Sequence, residues 1–173
     1  MTPEFSRPER LDAISTAARH VVIEASEAER AALARRFDLV AVDRLSAELD
    51  LHREAGGVVV RGRVEGVVTQ ACVITGDSIE ARIDEPLALR FVDGQPDAEE
   101  VELDSDDCDT VPIEGGSIDL GEAVAETMAL ALDPYPRAPG AEAALRAAGV
   151  LSEDEAKPAG KLAGLKDLLD KPL

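Results

Sequence analysis

Cys72 carries a thiol, a potentially reactive group, and the pattern of the predicted strands indicates where in the fold it lies. A thiol nucleophile needs a base close enough to deprotonate it. Cys72 follows a valine-rich predicted strand and falls on its buried face, whereas His52 falls on the outward face of the neighbouring strand and His20 in an N-terminal strand. Because no cysteine–histidine pair follows from these positions, we predict that Cys72 is a small buried apolar residue. The alternative is a cysteine-dependent enzyme or a metal-binding protein that uses Cys72.

The acidic run from Asp104 to Asp109 offers several oxygen ligands of the kind that calcium prefers. An EF-hand loop needs a glycine at its sixth position and a glutamate at its twelfth, and these positions hold Asp109 and Gly115. The sequence also lacks a glycine-rich phosphate loop, a nucleophile elbow, a paired-histidine zinc motif and a dinucleotide-binding fingerprint. We therefore predict no catalytic residues, no metal site and no cofactor.

The net charge of −18 is concentrated in the middle of the chain. Residues 1–63, 64–135 and 136–173 carry net charges of −1, −17 and 0. Binding to bare nucleic acid requires lysines and arginines that neutralise phosphates, and three phenylalanines, one tyrosine and no tryptophan offer few surfaces for base stacking. We expect direct RNA contact to be absent or secondary. The acidity favours solubility and a basic protein partner.

Three long segments alternate between apolar and charged residues, as strands do when one face of a sheet is buried. They run from Leu39 to His52, from Val58 to Val68 and from Ile79 to Phe91, with a Gly56-Gly57 turn after the first. The inward residues include Ala41 and Gly62, and an inward glycine suggests a bend or a close approach by a covering helix. Pro86 is predicted to lie in an edge strand or at a bulge.

Charge on the outward face restricts the register of the first two strands. With Leu51 opposite Val58, Glu48 faces Arg61; after a shift of two residues towards the turn, Asp50 faces Arg61 and Glu48 faces Arg63. Both registers remain open. The outward arginines are expected to form cross-strand ion pairs, and the alternative is a small RNA-binding patch; they are Arg44, Arg61, Arg63, Arg82 and Arg90.

Capping signals mark two helices. Asp119 is a predicted N-cap with Glu122 three residues later, and an apolar stripe then runs to Ala131 before Pro134 stops the helix. Ser26 and Glu29 begin a shorter helix that ends near residue 36. A third helix is predicted over 141–148, and short strands over 10–14 and 20–23.

These elements predict an α+β fold. An antiparallel meander, with room to curl toward a barrel, is covered by the amphipathic helix over 119–132. Residues 1–140 form one domain that includes an acidic loop over 93–117, and residues 141–173 form a helical or flexible C-terminal tail. Without a run of about 18 apolar residues or a hydrophobic signal core, we expect a cytoplasmic protein with free thiols and no membrane contact.

Four segments together resemble the bacterial YceD family of large ribosomal RNA subunit accumulation proteins. They are Gln70-Ala-Cys72-Val-Ile-Thr75, Gly116-Ser-Ile-Asp-Leu-Gly-Glu122, Ala129-Leu-Ala-Leu-Asp-Pro-Tyr-Pro136 and Lys157-Pro-Ala-Gly-Lys-Leu-Ala-Gly-Leu-Lys166. The resemblance implies a non-enzymatic role in large-subunit ribosomal RNA accumulation and ribosome assembly. Many relatives carry a Cys-x-x-Cys at this strand end, but Thr75 stands at the second position here, so no metal is carried over.

The resemblance and the charge pattern together predict a partner-binding region. The expected partner is a basic ribosomal protein or the assembling large ribosomal subunit, and the leucine-rich tail would act as a short ligand in a groove of that partner. The predicted partner-binding residues are Tyr135, Arg137, Lys157, Pro158, Leu162, Leu165, Lys166 and Leu168.

Overall fold

The structure, a computed structural model, describes residues 3–92, 109–113 and 115–150. Its strands are β1 (Pro8–Arg10), β2 (Arg19–Glu24), β3 (Ala41–Glu54), β4 (Gly57–Ala71), β5 (Ser78–Val92), β6 (Asp109–Pro112) and β7 (Ser117–Asp119). Its helices are α1 (Glu27–Arg36), α2 (Leu120–Ala131) and α3 (Ala141–Ala147), with a 3-10 helix at Leu11–Ala13. Strands β2 to β6 form one sheet in sequence order, and β1 pairs with β7. The predicted α+β fold is confirmed, without closure into a barrel among the described residues.

One face of the five-stranded sheet carries the core. The inward valines of β4 are at most 1% exposed, as their alternation with charged residues predicts, and they are Val58, Val60, Val64 and Val68. Leu33 of α1 and Val124 of α2 belong to the same buried cluster. Both helices therefore pack against the same side of the meander, and the opposite side carries the charged residues of the three long strands.

Strands β3 and β4 are joined by a hairpin with a two-residue loop, Ala55 and Gly56. Gly56 adopts a φ of 87°, which a residue without a Cβ tolerates well. This loop sets Leu51 opposite Val60 and Glu48 opposite Arg63. Of the two registers that charge left open, the structure has the one shifted towards the turn.

A β-bulge interrupts the alternation near the start of β3. The register shifts between Val42 and Arg44, so one extra residue lies on this strand. Because one extra residue moves later side chains to the other face, Val42 is buried at 6% exposure while Ala41 is only half-buried. The prediction that Ala41 shares the inward face with the later alanine and leucines was therefore wrong.

Gly62 is required by the neighbouring strand. A Cβ at this position would lie 2.0 Å from the Glu48 carbonyl oxygen and 2.9 Å from the Leu49 Cα. The predicted close approach to Gly62 exists, but the group that approaches is the backbone of β3 and not the covering helix.

The N-terminal segment crosses the start of α2 instead of forming the predicted strand over 10–14. Phe5 is completely buried, and the following β1 pairs with β7 before the 3-10 helix begins. A Cβ on Gly121 would lie 2.5 Å from the Phe5 carbonyl oxygen. The chain therefore passes directly over the first turn of α2, and this second contact buries Gly121 and Ala125 as well as the predicted stripe.

Asp119 joins this segment to the helix. Its carboxylate caps α2 by accepting from the Gly121 and Glu122 N–H groups at 3.0 and 3.2 Å. The same carboxylate accepts the Ser6 hydroxyl at 2.5 Å and the Arg7 N–H at 2.7 Å. The predicted N-cap is confirmed, and its tertiary hydrogen bonds could not be read from local sequence.

Glu122 does not complete a capping box. Its carboxylate instead binds Arg36 of α1, with an Nη2–Oε1 distance of 2.5 Å. Arg36 also reaches Glu4 at 3.0 Å, so one guanidinium joins the N-terminal segment to both helices. The tertiary ion pair replaced the local interaction that spacing predicted.

The Ser26–Glu29 capping box of α1 is confirmed. Arg7 also donates to both carboxylate oxygens of Glu29, at 2.6 and 3.0 Å. Hydrogen bonds from Arg7, followed by those from Ser26, outweigh desolvation and lower the pKa of Glu29 to about 2. The first turn of α1 is therefore a second anchor of the N-terminal segment.

Part of the predicted acidic loop over 93–117 is strand. Residues 109–112 form β6, which runs parallel to residues 89–92 of β5, and β7 begins at Ser117. The loop prediction was wrong for these residues, while 93–108 and 114 lie outside the described residues. Among the described residues, β6 pairs with residues 89–92 of β5, so Pro86 has a partner strand on one side, β4, as predicted for an edge position.

Candidate functional site: the junction after strand β4 and helix α2

Two of the segments that carry the family resemblance meet in space. The Gln70 side-chain amide donates to the Asp133 carbonyl at 2.9 Å, and the Val73 N–H donates to the Pro136 carbonyl at 3.0 Å. The Ala138 N–H donates to the Cys72 sulfur at 3.3 Å. These contacts join the end of β4 to the chain that leaves α2, and we refer to residues 70–75 and 133–138 as the junction.

Cys72 is held in a tight turn that follows β4. Its N–H donates to the Asp77 carbonyl at 2.8 Å, and its carbonyl accepts the Gly76 N–H at 2.9 Å. The sulfur accepts the Thr75 N–H at 3.4 Å in addition to that of Ala138. These donors, Ala138 first and then Thr75, outweigh desolvation and lower the pKa of the Cys72 thiol to about 7.

Burial limits what this thiol can do. Cys72 is 3% exposed, which confirms that it is buried, but its sulfur accepts two backbone hydrogen bonds and is more than an apolar filler. His20 and His52 bind Asp50 and Glu54 on the outward face, at 3.0 and 2.9 Å. Within the described residues neither histidine approaches the thiol to act as a base. The geometry stabilises the turn rather than presenting a nucleophile.

A metal site at the junction would need further ligands. Thr75, at the position where relatives carry a second cysteine, directs its hydroxyl to Asp77 at 2.7 Å. Among residues 3–92, 109–113 and 115–150, no group of three or more histidine, cysteine, aspartate or glutamate side chains could hold a metal ion. This part of the chain therefore offers Cys72 no partner ligands.

The junction presents an exposed surface around the buried sulfur. Tyr135 is 71% exposed and Val73 is 50% exposed, and Arg137 is also exposed. Beside them lies a groove of about 370 Å³, between the chain that follows α1 and the end of α2; its apolar lining includes Phe37, Leu39, Ala71, Leu132 and Pro134. Tyr135 and Arg137, both predicted to bind a partner, therefore lie at the edge of an apolar groove.

Val73 was missed by sequence reasoning, although a signal for it existed. It follows the predicted strand and precedes Gly76 and Asp77, which are turn residues, so a position at an exposed turn could have been inferred. The other predicted partner-binding residues fall beyond the described part of the chain; they are Lys157, Pro158, Leu162, Leu165, Lys166 and Leu168.

The outward arginines lie among carboxylates. Arg44 binds Glu65 at 3.4 Å, Arg63 binds Asp84, and Arg82 binds Glu80 at 3.2 Å. Arg90 reaches Glu54 at 3.3 Å. The predicted cross-strand ion pairs are confirmed for Arg44, Arg63 and Arg90, whereas Arg82 pairs within its own strand β5. The outward face is a mixture of both charges instead of a basic patch.

No helix in the described residues is long and apolar enough to cross a membrane. The search of curated proteins and the search of solved structures returned no match. The family model described as large ribosomal RNA subunit accumulation protein YceD matches residues 60–169, which include most of β4, the junction and α2. With more than half of its length matched, the chain belongs to the YceD family.

Proposed function

We propose that this protein is a non-enzymatic, cytoplasmic factor that promotes large-subunit ribosomal RNA accumulation and ribosome assembly by binding a basic ribosomal protein or an assembly intermediate. The observation that carries the proposal is the family match over residues 60–169. The family description names an accumulation protein and no catalytic activity. The shielded thiol of Cys72 and the distant histidines also give no support to an enzyme.

Charge supports a basic protein as the partner. The middle of the chain, residues 64–135, has a net charge of −17 and would attract a ribosomal protein before it is neutralised by RNA. Such attraction acts over about 10 Å at 0.1 M salt and weakens as salt rises. The ion pairs made by the outward arginines support protein over RNA as the primary contact.

Two surfaces would make the contact. Tyr135, Arg137 and Val73 present an exposed aromatic, cationic and apolar group beside the junction groove. In the tail, Leu162, Leu165 and Leu168 share one side if it forms a helix when it binds, flanked by Lys157, Pro158 and Lys166. Burying one leucine contributes about 1.5–3 kcal/mol, which corresponds to roughly a tenfold or greater change in affinity.

Affinity capture with the tagged full chain tests this proposal. Large-subunit ribosomal RNA and ribosomal proteins in the captured material are measured from low to high salt, with and without ribonuclease. We expect ribosomal proteins at low salt, a loss at high salt, and survival of the signal after ribonuclease treatment. Recovery of no ribosomal component at low salt would overturn the proposal.

Matched variants locate the contact. Leu162→Asp with Leu165→Asp should reduce capture at least tenfold, whereas Ala156→Asp with Ala159→Asp introduces the same charge without removing a leucine and should change it little. Tyr135→Ala tests the junction surface. Arg61→Glu with Arg63→Glu tests the alternative of direct RNA binding, and a selective loss of ribosomal RNA in that variant would favour the alternative.

A further inference from the structure

A second groove runs along α2, and Pro8 of the N-terminal segment is part of its lining. It consists of two adjoining depressions of about 210 and 350 Å³ that share Leu89 of β5. Helix α2 forms one wall through Ala123 and Thr127, and the other wall is the end of β5 with β6. We call this feature the α2–β5 groove.

Apolar groups in the α2–β5 groove are exposed among the described residues. Leu130 lies in its lining and is 86% exposed, the largest exposure among the large apolar side chains of the described residues. Ala131 beside it is also exposed, although the helical stripe predicts burial. Covering Leu130 would remove apolar surface from water, so an apolar segment that covers it would be stabilised there.

The charged residues that line the groove are all acidic. They are Glu85, Asp109, Asp119, Glu122 and Glu126. The Asp119 carboxylate already accepts the hydrogen bonds that cap α2 and those from Ser6 and Arg7, and Glu122 binds Arg36. Glu126 and Asp109 make no ion pair within the described residues and are exposed. The groove therefore fits a segment that carries both leucines and positive charges.

Such a segment exists in the same chain. Residues 157–173 carry lysines at 157, 161, 166 and 171 against aspartates at 167 and 170. The leucines among them are Leu162, Leu165, Leu168, Leu169 and Leu173. The described chain stops at Val150, beyond α3, which itself follows the C-terminal end of α2. Residues 151–161 span at most about 40 Å when extended, against a length of about 18 Å for α2.

We propose that residues 157–173 dock into the α2–β5 groove of their own chain. The leucines cover Leu130 and Ala131, and the lysines lie near Glu126 and Asp109. A short linker gives such a contact an effective concentration in the millimolar range. If the free segment binds with a Kd of about 0.1 mM, an effective concentration of about 1 mM makes the docked state about tenfold more populated than the open state.

Docking would limit the access of the ribosomal partner to the leucines that we propose it binds. A partner that needs Leu162 and Leu165 must first compete with the groove, so the free chain is held in a state of lower affinity. The docking itself is independent of the proposed function, because it requires only groups of this chain.

Alkylation of an introduced thiol tests the docking without any ribosomal component. Ala131→Cys places a thiol in the groove, in a full chain that also carries Cys108→Ser and retains the buried Cys72. Adding Leu162→Asp with Leu165→Asp should raise the alkylation rate of Cys at position 131 about tenfold. The matched pair Ala156→Asp with Ala159→Asp should leave the rate within about twofold of the unchanged tail.

Further arms of the experiment identify the occupant. A thiol at Val22→Cys, on the outward face, should alkylate equally in every tail variant. Glu126→Lys should raise the rate at position 131 about twofold to fivefold, whereas Glu80→Lys on the outward face should not. Equal rates at position 131 with and without the leucines would overturn the proposal. Protection that grows with protein concentration would also overturn it, because a second copy would then be the occupant.

Discussion

Replacing Asp119 by alanine removes four hydrogen bonds that one carboxylate accepts. Two of them cap α2, and the other two hold Ser6 and the Arg7 N–H. Loss of an N-cap costs about 1 kcal/mol. The part-buried hydroxyl and N–H left without an acceptor cost about 1 kcal/mol each. We expect Asp119→Ala to lower the free energy of unfolding by about 3 kcal/mol.

Asparagine at the same position separates geometry from charge. Its side-chain oxygen can accept the three backbone N–H groups that Oδ1 of Asp119 accepts, and its amide can donate to the Ser6 hydroxyl. Only the charge is lost, so Asp119→Asn should cost about 1 kcal/mol. Ser26→Ala, at the exposed N-cap of α1, is the matched control and should also cost about 1 kcal/mol.

Urea unfolding followed by far-ultraviolet circular dichroism suits a chain without tryptophan. With an m value of about 2 kcal/mol/M, the midpoint should fall by about 1.5 M for Asp119→Ala and about 0.5 M for each of the other two variants. If Asp119→Ala were no worse than Asp119→Asn, Asp119 would not be the tertiary anchor that these hydrogen bonds describe.

Three further predictions test the remaining contacts. Gly121→Ala should lower the free energy of unfolding in urea, because the new Cβ would lie 2.5 Å from the Phe5 carbonyl oxygen. Alanine favours helix more than glycine does, so a stabilised variant would contradict this packing. Arg7 lowers the pKa of Glu29 to about 2, so its contribution to the free energy of unfolding should be complete above pH 4.5 and should be lost as the pH falls towards 2. The loss should be about 1–2 kcal/mol after solvent screening. Unfolding measured across this range should show no such loss in Glu29→Gln. The pKa of Cys72, lowered to about 7, predicts that stability rises from pH 7 to pH 9, and a Cys72→Ala variant with an unchanged slope would contradict it.

The sheet could be predicted because strand alternation is a local pattern. Period-2 burial placed Val60 and Val64 inside and Arg61 and Arg63 outside, and the structure has the same faces. Charge pairing left two possible registers for β3 and β4, and the two-residue loop between them fixes which one the protein has. The bulge before Arg44 had no local signal, because the extra residue matters only relative to the partner strand.

The helices show the same division between local and distant effects. Asp119 was recognisable as an N-cap because a cap is defined within four residues. The carboxylate of Glu122 could not be assigned from sequence, since its partner Arg36 lies 86 residues away. Residues 109–112 were predicted as loop because a short parallel strand is stabilised by the strand beside it.

The candidate surfaces were only partly predictable. Tyr135 and Arg137 were predicted from the resemblance and the charge pattern together. Hydrogen bonds that span more than 60 residues join their segment to the turn that holds Cys72. Leu130 was not predicted as exposed, because the exposure of a helix residue depends on which distant elements pack beside the helix.

Sequence patterns predicted the buried valines of β4, the starts of two helices and the segment that holds the negative charge. These properties follow from side-chain chemistry at periods of two and 3.6 residues, which act within a few positions along the chain. Folding of the whole domain was needed to bring the N-terminal segment over α2 and to place two N–H groups against the Cys72 sulfur. The exposure of Leu130 among the described residues likewise depends on the packing of distant elements. Those features arise from atoms far apart in sequence, whose distances are set when the whole domain packs.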